Sequence, residues 1–478
     1  MALGVASWAL ERAQSHAPTM RALLHPGLST ASALAILNTC VQKRMSYTMR
    51  VLPPHLSMRG LHHFDNLTYQ CFVSRLGIST PLPPLAQSLI RLPGRYGACC
   101  PQQTSLLAHA AYSSSLMLAI SSRAIPEQQD PRRMLTTNGD VLTDSYNSLE
   151  RNGVPISDIR PLLTPGIIPP AHIQSRFTRS IYSTLRNRLL LQGRDQHGPA
   201  FPALMLSAAQ EGARALPFST IPVNPELSLR DAEIEAALLA RLPQIPLSGI
   251  PSSGVNCPGC QQLLTPDTAT YHFLTRTCPV VGGAIIRRHD SYVKMLATFL
   301  RRCGAVVEIE PDHLHFQDAT REHPDLRVWW RPANMSPPDA LIDVSFASPT
   351  AQASLRLAAT TPLAAASQRE VIKHRQYDQL AVASNTALVP WVLEPTGALG
   401  REALGYLRRV QAYYASVVRG LPAARDTLAD AMLDDFPRNP RGLLPYFRAM
   451  SAAETARGNA RILDLAKRRL WDAPRRSH

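Results

Sequence analysis

The feature that most constrains this chain is a group of three cysteines and one histidine with the spacing C-x2-C-x11-H-x5-C. A two-residue gap lets two thiolates bind one ion from a single turn, and Pro258 and Gly259 favour a turn in that gap. Because an imidazole and a third thiolate can complete a tetrahedral shell, the pattern predicts a zinc site. The predicted zinc ligands are Cys257, Cys260, His272 and Cys278. The alternative is four unrelated residues, since the chain contains 8 cysteines and 15 histidines.

The charge of the chain indicates a polyanionic partner. Its 478 residues carry a formal net charge of +15, and most of the basic residues are arginines, whose guanidinium groups bind phosphate through two parallel hydrogen bonds. The sequence has no run of eighteen apolar residues and no secretory signal. We therefore expect an intracellular, nuclear protein that binds nucleic acid and no membrane, while the oligomeric state stays open.

The apolar periodicity and the proline breaks predict an α+β protein with several domains. The predicted parts are an all-helical region (20–120), a helical connector (121–250), a zinc knuckle (251–284), an α/β core with a mixed sheet (285–420) and an appended basic helical tail (421–478). In the connector, a helix is predicted at Leu229–Leu242 with Ser228 as its N-cap.

The core region has a regular order of predicted elements, which is helix, three strands, helix, strand, helix. The strands are predicted from short runs rich in Val, Ile and aromatic residues, and the helices from apolar residues at a 3.6-residue period. The predicted strands are Ala305–Ile309, Leu326–Trp330, Ala340–Phe346 and Ala387–Leu393. The predicted helices are Ile286–Cys303, Leu363–Ser384 and Leu399–Val418.

An ionisable residue, Asp343, lies in the middle of the apolar run Ala340–Phe346. A carboxylate is costly to bury there unless something pairs with it, and a divalent cation such as Mg2+ or Mn2+ is a natural partner. Asp325 heads the preceding strand, and neighbouring strands can bring the two carboxylates together. Glu310, at the end of the first strand of this series, is a candidate third oxygen donor.

Lys373 and Tyr377 lie four residues apart on the predicted helix, so both side chains project from one face and can reach over the sheet. With the two aspartates they form a set suited to metal-assisted hydrolysis of phosphodiesters. At the start of the first helix, Arg287, Arg288 and His289 are candidate contacts for backbone phosphate. Each of these residues also has a structural interpretation, as a turn former, a core residue or part of a solvated face.

The ordered set of zinc ligands, aspartates and helix lysine resembles the C-terminal region of site-specific non-LTR retrotransposon proteins, in which a zinc knuckle precedes a restriction-like endonuclease. The resemblance implies a PD-(D/E)xK-type centre formed by Asp325, Asp343 and Lys373, with Tyr377 nearby. It implies that the protein nicks target DNA, that the freed 3′ hydroxyl primes reverse transcription, and that DNA and element RNA are partners. Residues 20–120 resemble the helical thumb of a reverse transcriptase.

The sequence departs from that family at two positions that bear on the centre. The gap between Asp325 and Asp343 is longer than usual, and Asp339 is a rival carboxylate. Ser345 stands where such nucleases usually place lysine, so Lys373 has to supply the amine from the helix.

No aromatic-x-Asp-Asp motif precedes the thumb-like region, and we therefore expect a truncated element product without reverse transcriptase activity. A metal-dependent DNA endonuclease is the first hypothesis. The alternatives are a catalytically inactive, zinc-containing nucleic-acid-binding relic and a structural zinc protein whose basic surface binds a partner protein.

Overall fold

The residues that a computed structural model describes make up most of the chain. These are 2–78, 82–97, 102–122, 141–163, 172–214, 225–242, 245, 247, 250–251, 253–275, 278–311, 323–330, 336–420 and 440–472. The chain forms two compact units, one of Met1–Gln192 with Ser219–Ile221 and the other of Gly193–Phe218 with Pro222–His478.

The regular secondary structure described in the first unit is all helical. Proline starts three of its helices, because the fixed φ of proline suits the first turn and the missing N–H would have no partner there. The helices are α1 (Ala2–Gln14), α2 (Ala17–Leu23), α3 (Thr30–Ile36), α4 (Ser46–Val51), α5 (Pro54–Arg75), α6 (Pro84–Ile90), α7 (Thr104–Ser121), α8 (Val141–Arg151), α9 (Ile156–Leu163) and nearly all of α10 (Ile173–His197).

A buried carboxylate joins two of these helices. Asp65 of α5 is 4% exposed, and its two oxygens accept four hydrogen bonds from the start of α7. The donors are the backbone N–H and the hydroxyl of Thr104, at 2.7 and 2.6 Å, and those of Ser105, at 2.9 and 2.6 Å. Asp65 therefore caps α7 from another helix and neutralises N–H groups that have no partner within α7.

Replacing Asp65 by alanine should lower the free energy of unfolding of the first unit by about 2–4 kcal/mol, because two backbone N–H groups lose their acceptors. Urea denaturation of the full chain, followed by circular dichroism, measures this change. His62→Ala is the matched control, since His62 is an exposed residue of the same helix. Equal unfolding midpoints for the two variants would contradict the capping role.

The second unit is built around a mixed four-stranded sheet with the order β3-β4-β5-β6. Strands β3 and β4 and strands β4 and β5 are antiparallel, whereas β5 and β6 are parallel. The strands are β3 (Ala305–Ile309), β4 (Leu326–Trp330), β5 (Ala340–Phe346) and β6 (Ala387–Leu393), which confirms the four predicted strands residue for residue. A separate hairpin pairs β1 (Val255–Asn256) with β2 (Leu263–Leu264).

Helices cover both faces of this sheet. The main apolar core lies between the sheet and three helices, α14, α17 and α18, while α16 packs against the opposite face. The helices of the unit are α11 (Ala200–Ala208), α12 (Asp231–Leu239), α13 (Pro266–Thr275), α14 (Gly282–Arg302), α15 (Gln352–Ala358), α16 (Ala364–Ala383), α17 (Arg401–Gly420) and α18 (Pro440–Asp472). The predicted α+β class, with a mixed sheet, is confirmed.

The C-terminal helix α18 is helical as predicted, but it is a packed part of the unit and not an appendage. Phe447 is fully buried, and its ring centroid lies 4.6 Å from that of Phe299 in α14. The hydroxyl groups of Tyr292 and Ser451 lie 2.7 Å apart. The helix therefore has an apolar face that contacts the sheet core, although its ends carry basic residues.

The cap of α12 also differs from the prediction. The helix begins at Asp231, and the N-cap is Arg230 in place of Ser228. Glu233 accepts the backbone N–H of Arg230 at 2.9 Å and pairs with its guanidinium at 2.7 Å. This reciprocal contact between Arg230 and Glu233 provides hydrogen-bond partners at the first turn of the helix without a serine. No described helix of either unit is long and apolar enough to cross a bilayer.

Candidate functional site

The structure brings the four predicted zinc ligands together. Their ligand atoms all lie within 4.8 Å of one another. The sulfurs of Cys257 and Cys278 are 3.4 Å apart, and the sulfur of Cys260 is 3.5 Å from Nε2 of His272. Because two thiolates bound to one tetrahedral zinc are about 3.8 Å apart, this spacing suits a single ion. The cluster can therefore hold a metal such as zinc.

A small hairpin followed by a helix positions these ligands. The backbone N–H of Gln261 donates to the carbonyl of Cys257, which closes the turn between β1 and β2. Helix α13 then carries His272, and Cys278 precedes α14. Burial raises the pKa of the Cys257 thiol, but hydrogen bonds from the backbone N–H groups of Gly259 and Cys260 and from neighbouring thiols outweigh it and lower that pKa. A lowered pKa favours the thiolate that binds metal.

Gly259 is required for space inside this turn. A Cβ added there would lie 2.7 Å from Cγ2 of Val280 and 3.7 Å from the sulfur of Cys278. The first of these contacts is too short, so a larger residue would push the turn away from the third thiolate.

Substituting Cys257 by serine should reduce bound zinc from about one ion per chain to almost none, because a tetrahedral structural site loses one of its four ligands. Elemental analysis of the purified protein measures the stoichiometry. The control is Cys40→Ser, which removes an exposed cysteine outside the cluster. An unchanged zinc content in Cys257→Ser would exclude this site.

Both predicted aspartates line one pocket of about 390 Å3 in the second unit. The register of β4 and β5 pairs Leu326 with Ile342, so Asp325 and Asp343 lie side by side at the next position. Residues such as Ile342 and Val344 face the main core, and therefore Asp343 faces α16. The pocket wall also includes Leu274 of α13, the helix that carries His272.

Asp343 is paired by the lysine that the sequence places on the covering helix. Nζ of Lys373 lies 3.1 Å from Oδ1 and 3.0 Å from Oδ2 of Asp343, and both side chains are largely buried. Burial raises the pKa of Asp343, the charge of Lys373 lowers it and the charge of Asp325 raises it, with a net shift upward. Hydrogen bonds from Lys373 and Tyr377 also favour the carboxylate.

Asp325 is held by the adjacent strand and by a histidine. Its Oδ2 accepts the backbone N–H of Val344 at 2.6 Å and lies 3.3 Å from Nε2 of His289. The same nitrogen of His289 is 3.0 Å from the carbonyl oxygen of Val344. Burial lowers the pKa of His289, but the hydrogen bond and charge of Asp325, helped by Asp290, raise it to about 9. An imidazolium at neutral pH therefore faces Asp325.

Three other residues with side-chain oxygens do not line this pocket. Two of them, Tyr377 and Glu310, are predicted site residues, and the third, Asp339, is the alternative carboxylate. Tyr377 is buried beside the pocket, and its hydroxyl donates to the carbonyl of His323 at 3.3 Å. Glu310 is exposed and does not line the pocket, although its backbone N–H donates to the carbonyl of Asp325 at 2.8 Å. Asp339 accepts the backbone N–H of Trp330 at 3.0 Å. It lies four residues, or about 13 Å, along the strand from Asp343, and is therefore no rival.

The predicted phosphate contacts at the start of α14 separate into three different environments. Arg287 is exposed, as a phosphate contact requires. The expectation for Arg288 is wrong, because this residue is 3% exposed, donates to Oδ1 of Asn459 at 2.9 Å and stacks 4.1 Å above the ring of Phe346. His289 is engaged with Asp325, so it acts within the pocket and not on its outer surface.

Ser345 and Arg369 are among the polar pocket residues that the sequence does not assign to the site. Ser345 lies two residues after Asp343 on the same face of β5, and Arg369 lies one helical turn before Lys373. The spacing of two along a strand and of four along a helix is a signal that could have identified both. The role of His289 had no such signal, because its partner is distant in sequence.

Neither a family model nor a curated protein matches this chain by sequence.

Replacing Lys373 by methionine should raise the pKa of Asp343 further, because the cation that favours the carboxylate is lost. A folded-state pKa above the unfolded value means that the folded chain binds the proton more tightly. The free energy of unfolding then falls as pH rises from the ordinary carboxyl range through the folded-state pKa, and in the variant the fall should extend to higher pH.

Carbon-13 NMR titration of the Asp343 carboxyl, with urea denaturation at each pH, measures both effects. Arg375→Met is the control, since Arg375 is an exposed residue of the same helix. A titration of Asp343 that does not differ between the two variants would contradict the ion pair.

Proposed function

We propose that this chain is a metal-dependent DNA endonuclease of retrotransposon origin, which nicks target DNA so that the 3′ hydroxyl can prime reverse transcription. The observation that carries the proposal is the convergence of Asp325 and Asp343, from adjacent strands, with Lys373 from the covering helix in one pocket. The mixed sheet with these groups on one face supports a restriction-like endonuclease core.

The pocket residues fit a divalent cation. Mg2+ is commonly held by one or two carboxylates together with substrate phosphate, and Asp325 and Asp343 supply two carboxylates. Oδ2 of Asp343 is buried and lacks a well-directed hydrogen bond among the described residues, although the ammonium of Lys373 is 3.0 Å away. A bound Mg2+ or Mn2+ would supply Lewis-acid stabilisation of the charge on the phosphate.

The side chains around these carboxylates have separate tasks in such a reaction. Lys373 brings a positive charge into a largely buried position, where it can stabilise charge that develops on the phosphate and orient a water molecule. His289 and the backbone N–H of Val344 fix the orientation of Asp325. Burial raises the pKa of Asp343, and the hydroxyl of Tyr377, which the carbonyl of His323 and the carboxylate of Asp343 share as acceptors, lowers it.

The zinc knuckle and the basic surface provide contacts with DNA in this proposal. Leu274 of α13 and Ile286 of α14 line the pocket, and Ile286 is 62% exposed, so the segment that zinc would stabilise forms one rim. Arg287 is exposed on the same turn and can bind backbone phosphate. Because the target DNA of the proposed reaction is chromosomal, the proposal also places the protein in the nucleus.

A second candidate function is a catalytically inactive nucleic-acid-binding relic. One observation favours it. Both carboxylates already have cationic partners, Lys373 for Asp343 and His289 for Asp325, so the pocket is satisfied without a metal. Among the described residues, only the zinc ligands bring three or more metal-binding side chains close together.

Purified parent protein should convert supercoiled plasmid to the nicked form in Mg2+ or Mn2+, and Asp343→Asn and Lys373→Ala should each nick at least roughly 100-fold more slowly, as expected for loss of a charged catalytic group. Agarose gel electrophoresis over time measures the rates. Asp339→Asn, which changes a carboxylate of the same region outside the pocket, should nick at the parental rate.

Nicking at one rate by the parent and all variants would show a contaminating nuclease and refute the proposal. Salt-sensitive DNA binding by the parent without strand scission would establish the relic instead.

A further inference from the structure

One wall of the pocket carries a hydroxyl that nothing in the described structure satisfies. Ser345 is 8% exposed, and its Oγ has no hydrogen-bond partner among the described residues. It faces the cavity from β5, on the same side as Asp343. Because an isolated buried hydroxyl is unfavourable, it indicates a polar group that enters the cavity.

A second basic side chain of α16 lines the same cavity. Arg369 is half-buried and lines the pocket, and none of the described residues forms an ion pair or hydrogen bond with it. It precedes Lys373 by one turn of α16, which places the two side chains on one helix face about 6 Å apart at their Cβ atoms. Arg369 is therefore a second cation that projects from α16 into the same cavity.

The charges inside the pocket favour an anion at this position. Lys373 and His289 are each matched by a carboxylate, whereas the guanidinium of Arg288 contacts two uncharged side chains, those of Asn459 and Phe346. Arg369, like Arg288, keeps a positive charge that no carboxylate among the described residues matches. A second metal ion beside it would be repelled, whereas a tetrahedral oxyanion would be attracted.

We propose that Arg369 and Ser345 form a phosphate-binding subsite that holds a DNA phosphodiester beside the carboxylates. The inference rests on the proposed endonuclease function and identifies two residues that position its substrate. The guanidinium binds two non-bridging oxygens, and the serine hydroxyl donates to one of them. Ser345 thus contributes a phosphate donor at the strand position where the resembled nucleases usually carry lysine.

Binding of a DNA duplex in zinc-loaded buffer without Mg2+, followed by fluorescence anisotropy at several salt concentrations, tests the subsite separately from cleavage. Arg369→Gln should weaken binding roughly 10-fold to 100-fold, as for a lost hydrogen bond to a charged group. It should also reduce the slope of log K against log salt by about 0.9, the value expected for one phosphate contact. Ser345→Ala should weaken binding about 10-fold without changing the slope.

Arg375→Gln is the matched control, because Arg375 is an exposed arginine of the same helix that lies outside the pocket. Arg369→Lys should keep the salt slope while it loses part of the affinity, since the ammonium keeps the charge but not the paired donors. Thermal unfolding of each variant separates a binding loss from misfolding.

The measurements distinguish failure of the subsite proposal from failure of the endonuclease proposal. Parental nicking and parental affinity in both Arg369→Gln and Ser345→Ala would overturn the subsite and leave the endonuclease intact. Arg369-dependent binding by a parent that never nicks would keep the subsite and refute cleavage. Displacement of the duplex by inorganic phosphate at matched ionic strength would assign the pocket to free phosphate and overturn the DNA assignment.

Discussion

The ion pair between Asp343 and Lys373 is the interaction on which the second unit depends. It lets a carboxylate lie in the centre of β5, a strand whose other residues are apolar except for Ser345, because a cation from α16 reaches it at 3.0–3.1 Å. Without that partner a charge in the strand would be very unfavourable. The pair also joins α16 to the sheet beside the cavity, which Arg369 lines from the same helix.

Much of the second unit could be predicted from its sequence, because its signals are local. The four strands have β-branched and aromatic residues bounded by Gly, Pro and Asp, and their limits match the structure residue for residue. The zinc ligands likewise have a spacing that constrains one turn, and the structure brings all four together. Asp343 was conspicuous because a charge interrupted an apolar run.

Other features depend on contacts between residues that are distant in sequence, and no local sequence pattern indicates them. Arg288 lies at a charged helix start that resembles a solvated surface, but α18 covers it with Asn459, 171 residues later. His289 pairs with Asp325 only because α14 crosses the end of the sheet. The cap of α12 was misjudged for a different reason, since Glu233 binds Arg230 more effectively than a serine two residues earlier could.

The packing of α18 has a consequence for the order in which the molecule assembles. The bond from Arg288 to Asn459 and the contact between Tyr292 and Ser451 join the helix beside the cavity to the last described helix. The wall of the cavity is therefore complete only when α18 has been translated and has packed against α14, although the two carboxylates precede α18 in the chain. A chain that lacks α18 would hold the carboxylates without the packed wall around them.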